Sequence, residues 1–427
     1  MSITIKKTLN GFPSVPASKV GFQTALRETG RLPGVTLLLT PVQPSDELPR
    51  REKIILDRFL SYSFTSSILI PVDTFEFTYA APDDPRPIPS YIKEGDLVTL
   101  YANGTAVSTG IIDSLDIVTD PTAGERVTIS GRDLLGQFED QDAVSADSKQ
   151  VYGDKITLDG ILAELTKGTR IPSKPILRRV STKPYLFATE PGESKLAALQ
   201  RHLESLNALS WMTGTGRLVI GKPDYSSARV GEVICTRSFP QENNCLDMRA
   251  IFASTTIPNL ILPIWTGQET VQERVKITNA LFNRAKGPRR LRRAGHVVSK
   301  SVVVSNVLSG AAQDLAAVNA LLEAGAAVGA GNSTILEAYG KREMAKYNHK
   351  ELIIQATVPG HYTAGGKPYQ TDQNHYVSYE RAGINKEMYL FQVSYSLNEE
   401  TGQRTSLSFC NKGTIVADAQ SVKRKTK

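Results

Sequence analysis

The sequence predicts an α+β protein, mainly β: two small antiparallel β-barrels with an α/β module between them and a helical insertion in the second barrel. Three observations carry this expectation. Short β-branched and aromatic runs separated by turn residues recur from Thr36 to Ser130. An amphipathic helix followed by a tight hairpin occupies Glu193 to Gly221. An alternating hairpin, Leu390 to Leu397 against Arg404 to Cys410, closes the C-terminal part. The expected boundaries are 1–140 for an N-terminal segment and first barrel, and 141–225 for the α/β module. The second barrel takes 226–415, with the insertion at about 259–350, and a basic tail takes 416–427.

The first barrel begins with Thr36–Leu39, an apolar run followed by a loop holding Pro41, Pro44 and Pro49. Ile54 to Ile70 is rich in β-branched and aromatic residues. Phe75, Phe77 and Tyr79 alternate with Glu76 and Thr78, the period of two that buries one face of a strand. Pro82, Pro85, Pro87 and Pro89 forbid a central strand. Leu97–Tyr101 and Thr105–Thr109 flank Asn103-Gly104, a pair that suits a type I′ turn because both central positions take positive φ. Ile111–Ile117 and Arg126–Ser130 complete the set, with Val98, Leu100, Ile112, Leu115, Val127 and Ile129 expected in the core. In GRDLLGQFED (131–140), Asp133 is placed to cap a helical turn and Arg132 to pair with a carboxylate.

In the middle module Leu158, Ile161, Leu162 and Leu165 form a helical stripe between Thr157, an N-cap residue, and Gly168, a C-terminal stop. A β segment follows near Ile176–Val180. Leu196, Leu199, Leu203 and Leu206 make the stripe of the next helix, and Leu209–Met212 and Leu218–Ile220 flank Gly214-Thr215-Gly216. In the last region Val230–Thr236, Met248–Ser254, Glu273–Ala280 and Glu351–Val358 read as strands, and Val302–Val304 as a strand or lead-in. Ala311–Ala327 and the segment capped by Ser333 read as helices. Phe391, Val393, Tyr395 and Leu397 are expected on one face of the closing hairpin, opposite Thr405, Leu407 and Phe409.

A chain of 427 residues suggests two to four domains, and 40% apolar with 22% charged residues excludes a disordered chain. The net charge of +7 is mild, and much of the excess sits at 286–293 (KGPRRLRR) and 423–427 (KRKTK). Cys235, Cys245 and Cys410 form no CxxC pair, and their odd number argues against a disulfide framework, as expected for folding in a reducing cytosol. The N-terminus lacks the apolar core of a signal peptide, and the longest apolar run, Ile257–Trp265, is broken by Pro258 and Pro263, so no membrane anchor is expected.

Catalytic signatures fail one by one. HExxH and GxSxG do not occur. Gly365-Gly366-Lys367 misses a phosphate loop because His361 stands where its first glycine belongs and Pro368 where Ser or Thr belongs. Gly214-Thr215-Gly216 has Val219 where a dinucleotide fingerprint needs its third glycine. His349, His361 and His375 are too widely spaced for a zinc signature and are expected to be unrelated surface or loop residues, with His202 partly exposed on its helix. Asp113 with Asp116, and Glu139 with Asp140, are neighbouring acids without a supporting pattern for glycoside hydrolysis. No catalytic, cofactor or metal residue is therefore assigned. The one candidate site is a docking loop, Lys286, Arg289, Arg290, Arg292 and Arg293, with three readings: a solvated loop, an acidic protein partner, or nucleic-acid phosphates. Only Phe282 lies near enough for base stacking.

Three segments resemble the baseplate hub family of contractile-tailed phages, typified by the Mu-like tail protein and the myophage central hub. They are Asp96–Asp140 (a strand, the Asn-Gly turn, GIIDSLDI and RVTISGRD), Glu193–Gly221, and the closing hairpin with Gly402, Thr405 and Leu407. The resemblance implies a structural, non-enzymatic protein without a cofactor. It implies a homotrimer whose six barrels dock a six-fold tail tube and whose three-fold axis fits a trimeric tail spike, around a channel that DNA crosses only in transit. The implied partners are the spike, tail tube or tube-initiator proteins, the tape measure and the baseplate wedge, in the tail baseplate of a virion assembled in the host cytoplasm. The alternatives are a tail-associated peptidoglycan-degrading enzyme and a nucleic-acid-binding protein. Residues 259–350 and the first 35 fall outside the resemblance.

Overall fold

The computed structural model describes residues 34–41, 53–80, 87–120, 124–144, 152–180, 185–189, 192–206, 208–253, 260–261, 277–278 and 349–415. Seven strands form the first half: β1 (Val35–Thr40), β2 (Ile54–Leu56), β3 (Ser61–Ser67), β4 (Thr74–Ala80), β5 (Leu97–Ala102), β6 (Thr105–Asp120) and β7 (Gly124–Asp133). They bond in the order β3-β4-β7-β6-β5-β1-β2. The middle module holds α1 (Gly136–Asp140), β8 (Tyr152–Ile156), α2 (Leu158–Leu165), β9 (Ile176–Arg178), β10 (Tyr185–Ala188), α3 (Lys195–Ser205), β11 (Leu209–Met212) and β12 (Leu218–Gly221). Then come β13 (Arg229–Cys235), β14 (Asp247–Phe252), the short pair β15 (Leu260–Ile261) and β16 (Ile277–Thr278), β17 (Leu352–Pro359), β18 (Gln373–Tyr379), β19 (Ile384–Asn398) and β20 (Gly402–Cys410). Six of these bond in the order β14-β17-β20-β19-β18-β13.

The two halves share one strand order. Matching β1, β3, β4, β5, β6 and β7 to β13, β14, β17, β18, β19 and β20 gives each strand equivalent neighbours in both halves. Each half is built on one long hairpin, β6–β7 or β19–β20. Two differences stand out. The β13–β18 pair is parallel whereas β1–β5 is antiparallel, so the second half departs from the all-antiparallel expectation. The β14–β17 connection carries the insertion where β3–β4 has a short link. The helices expected at 311–327 and after Ser333, and the strand at 302–304, lie outside the described residues, and only β16 is described within the strand expected at Glu273–Ala280.

One strand joins the halves into a single sheet. Ile384–Leu390 of β19 pairs with β18, and Gln392–Leu397 pairs with Tyr62–Ser67 of β3. β20 runs along the other edge of β19, and its register shifts between Leu390 and Gln392. This bulge corrects one expectation. Phe391 does not share a face with Val393 and Tyr395, because the extra residue turns it toward Trp211 and Val219. Leu390, Val393 and Tyr395 enter the main core with Phe64, Phe77, Ile129, Leu407 and Phe409. Val98, Leu100, Ile112, Val127 and Ile129 are buried as expected, and Leu115 packs partly buried against them.

Local chemistry explains most elements. Asn103 and Gly104 both take positive φ, 48° and 72°, and turn β5 into β6. The Thr157 hydroxyl accepts the Gly160 N–H and starts α2. The leucine stripes of α2 and α3 meet in a second core with Met212, Leu218 and Ile220. Alternation along the hairpin sends Trp211 and Val219 to its other face, where they pack on Tyr389, Phe391 and Cys410 of the second half. No strand was expected at β18, where His375 reads as a surface or loop residue. Among the described residues, no helix is long and apolar enough to cross a membrane.

Leu199 of α3 is fully buried in this second core. Leu199→Ala is expected to cost about 2–5 kcal/mol in urea unfolding. A cost below about 1 kcal/mol would show that α3 is not docked there.

Candidate functional site

The most constructed region is the junction where the three modules meet. His361 follows β17 and is buried between the halves. The Thr405 hydroxyl donates to Gly360 O at 2.6 Å, so its oxygen accepts from His361 Nδ1 at 2.8 Å. Nε2 is then bare and accepts the Tyr62 hydroxyl hydrogen. The imidazole also stacks on Tyr395, with ring centroids 4.4 Å apart, and the Tyr395 hydroxyl donates to Tyr369 O. This relay runs from β3 through His361 to β20. Burial pushes His361 down to about 3, which keeps the ring neutral as the relay requires.

Asp372 is the second node, held at φ 65° at the start of β18. It receives Arg178 of β9, the Asp224 N–H at 2.9 Å and the Tyr389 hydroxyl at 2.9 Å. The Arg178 guanidinium also lies 5.6 Å from the centre of the Trp211 ring. The opposite end of the middle module touches the first half. Thr109 donates to Gly214 O at 2.9 Å, and a Cβ on Gly214 would sit 2.1 Å from Ala106 O. Asn103, in the type I′ turn, donates to Gly366 O at 2.8 Å, and Gln370 donates to Ala106 O at 3.0 Å. A cleft of about 220 Å³ remains between the modules, lined by Phe64, Val107, Arg178, Trp211 and Asp372 among others.

Two acidic clusters flank the junction. Arg132 gathers Asp113 and Asp140 at 2.6 Å each and Glu139 at 3.2 Å, so three of the four neighbouring acids noted in the sequence surround one arginine. Asp116 sits on the exposed stretch of β6. Asp133 accepts the Leu135 N–H at 2.9 Å just before α1. Its backbone N–H donates to Asp73 O at 2.9 Å, and Asp73 accepts the Ser67 N–H at 3.2 Å. Both carboxyls are buried. Burial pushes Asp73 up to about 7, and burial together with the Asp73 charge pushes Asp133 up, so neutral pH leaves the pair short of full ionisation.

The histidine expectation is corrected. His361 does lie in a loop, after β17, but is fully buried; His375 is fully buried in β18, and His202 is buried on α3 rather than partly exposed. Their partners lie far away in sequence: Tyr62 is 299 residues from His361. His349 is half-buried beside Phe391. Among the described residues, no three His, Cys, Asp or Glu side chains are grouped to hold a metal ion. Lys286, Arg289, Arg290, Arg292 and Arg293 lie outside the described residues, as does the basic tail at 416–427.

Residues 55–133, from β2 to the end of β7, match the family model of the Mu phage baseplate assembly protein GpP-like N-terminal domain. Over this stretch the chain is similar to a phage baseplate domain. The whole fold agrees with phage tail proteins. It matches the tail protein from Neisseria meningitidis MC58 with a TM-score of 0.67, at 19% identity over 90% of this chain and 99% of that one. It matches the 43 kDa tail protein of prophage MuSo2 from Shewanella oneidensis with a TM-score of 0.62, at 18% identity over 88% and 98%. An E. coli component of the type VI secretion system, described as structurally similar to the T4 tail proteins gp27 and gp5, matches with a TM-score of 0.50, at 8% identity over 88% and 76%. At these identities the likeness is one of fold. No curated protein matches the chain. The matched stretch takes in β2 to β7 of the first strand half, and the junction described above fixes that half to the second.

The buried groups set opposite pH responses. Asp73 binds its proton more tightly folded than unfolded, so its contribution is full below 3.8 and is lost as pH rises through about 7. The neutral imidazoles of His202, His361 and His375 contribute above 6.5, and that contribution is lost as pH falls toward 3–4. Asp73→Asn keeps an acceptor for Ser67 and removes the ionisation. Its stability relative to wild type is expected to climb from about pH 4 to about pH 7, by up to about 1.4 kcal/mol per pH unit, and to level off above that. A flat difference would show that the Asp73 carboxyl is not held protonated. His361→Ala is expected to cost about 2–5 kcal/mol at neutral pH, because it leaves the Tyr62 hydroxyl without its acceptor beside a new cavity.

Proposed function

We propose that the protein is the structural hub of a contractile phage tail baseplate, a homotrimer that adapts a three-fold spike to a six-fold tail tube around a central channel. The observation that carries this reading is the repeated strand order of the two halves. Two like modules per chain, in three copies, make six like modules on a three-fold axis. The baseplate domain at 55–133 and the tail-protein fold support it.

In this reading each half is a small barrel. Support comes from the second half, where the gap between β13 and β14 is bridged by Asn243 and Asn244. Asn244 Oδ1 accepts the Ile234 N–H at 2.8 Å, its Nδ2 donates to Glu232 O at 2.9 Å, and Asn243 Oδ1 accepts the Thr236 N–H at 2.6 Å. The protein is non-enzymatic here, and wall cutting falls to the spike or an associated lysin. Its partners are the spike, the tail tube or tube initiator, the tape measure and the wedge, within the virion's tail. Lys286, Arg289, Arg290, Arg292 and Arg293 face an acidic protein partner rather than the channel, where they would hold a passing strand.

Sedimentation or light scattering of the purified chain tests the assembly, with a mass three times that of the 46.6 kDa chain expected. A monomer at every concentration would overturn the reading. Clearing of peptidoglycan in a zymogram by the isolated chain would favour the wall-degrading alternative instead.

A further inference from the structure

The bridge between β13 and β14 holds a second, unused feature. Cys235 ends β13, and Cys245 lies two residues before β14. Both thiols are free and half-buried. Cys245 Sγ donates at 3.1 Å to the backbone O of Ile234, the residue next to Cys235, and both cysteines pack against the main core. Asn243 and Asn244 hold this segment against β13. These bonds place Cys245 beside the end of β13, next to Cys235. Cys410, the third cysteine, is buried in the cluster with Trp211 and Val219 and takes no part.

We propose that Cys235 and Cys245 form a reversible disulfide that closes the β13–β14 seam covalently when the protein meets an oxidising, disulfide-containing medium. The oxidant is a small disulfide such as glutathione disulfide. In the first exchange the Cys235 sulfur attacks one glutathione sulfur, the glutathione S–S bond breaks, one reduced glutathione leaves, and a mixed disulfide remains. In the second, the Cys245 sulfur attacks Cys235 Sγ, a second reduced glutathione leaves, and both cysteine protons pass to the departing thiolates. Burial pushes Cys245 up to about 12, which leaves the opening attack to Cys235. The closed loop spans 235–245, and the bond removes chain entropy from the unfolded state.

The bond is inferred from the placement of Cys245 beside the end of β13. Its timing, after release from a reducing cytosol, rests on the baseplate reading. The native full-length protein is incubated with glutathione disulfide or reduced glutathione, trapped with iodoacetamide and digested with trypsin. Cleavage after Arg229, Arg237 and Arg249 puts the two cysteines on separate peptides, 230–237 and 238–249. The expected product is that pair linked and two hydrogens lighter than its separate parts, with three free thiols reduced to one. Thermal unfolding of the oxidised wild type should move up by several degrees, with no such shift in Cys235→Ser or Cys245→Ser. Cys245→Ser should instead retain a glutathione adduct at Cys235. Three free thiols after oxidation, a bond to Cys410 or between chains, or linkage only in denaturant would each overturn the proposal. Oligomer mass measured on the same samples keeps this result separate from the hub reading, since a monomer that forms the bond contradicts only the latter.

Discussion

The structure depends on the pairing of Gln392–Leu397 with Tyr62–Ser67. Without it the chain is two strand systems tied by a middle module. With it, β19 belongs to both, and a rotation of one half relative to the other would break the backbone ladder along that segment. The entropy of closing so long a loop is offset by the core that the pairing assembles, where Phe64 of β3 meets Tyr395 of β19 with ring centroids 5.5 Å apart. A register slip by one residue would turn these rings out of the core, so the shared strand fixes the angle between the halves as well as their contact.

Buried polar groups sharpen that register. A leucine-lined seam would tolerate small shifts, whereas the relay through Tyr62, His361 and Thr405 is satisfied in one arrangement only. Asp372 plays the same part between the second half and the middle module, where Arg178, Asp224 and Tyr389 converge on it. The hairpin β11–β12 converts this into a three-way lock. One of its faces packs on α3 and the other on Phe391, while its turn rests on Ala106.

Much of this was legible in the sequence where the signal is local. The Asn103-Gly104 turn, the Thr157 cap, the leucine stripes and the alternation of Phe75, Phe77 and Tyr79 each follow from neighbours within a few residues. Arg132 among carboxylates was legible for the same reason. What was hidden depends on distant partners. His361 reads as a loop histidine until Tyr62 and Thr405 are placed beside it. No strand was expected around Asn374, whose side-chain amide donates to Ser227 O at 2.9 Å and makes burial in β18 tolerable. The bulge at Phe391 has no mark in the apolar pattern, because an aromatic residue is at home on either face. The buried pair Asp73 and Asp133 was missed because two acids 60 residues apart give no sequence signal.

Hydrogen exchange read by mass spectrometry on the native protein tests the shared strand most directly. The account predicts that amides of Tyr62–Ser67 and Gln392–Leu397 open together, as slowly as the cores of both halves, in a single cooperative unit. If either segment exchanges rapidly while the two cores stay protected, or if the halves open in separate steps, the seam does not hold the molecule together and the account is wrong.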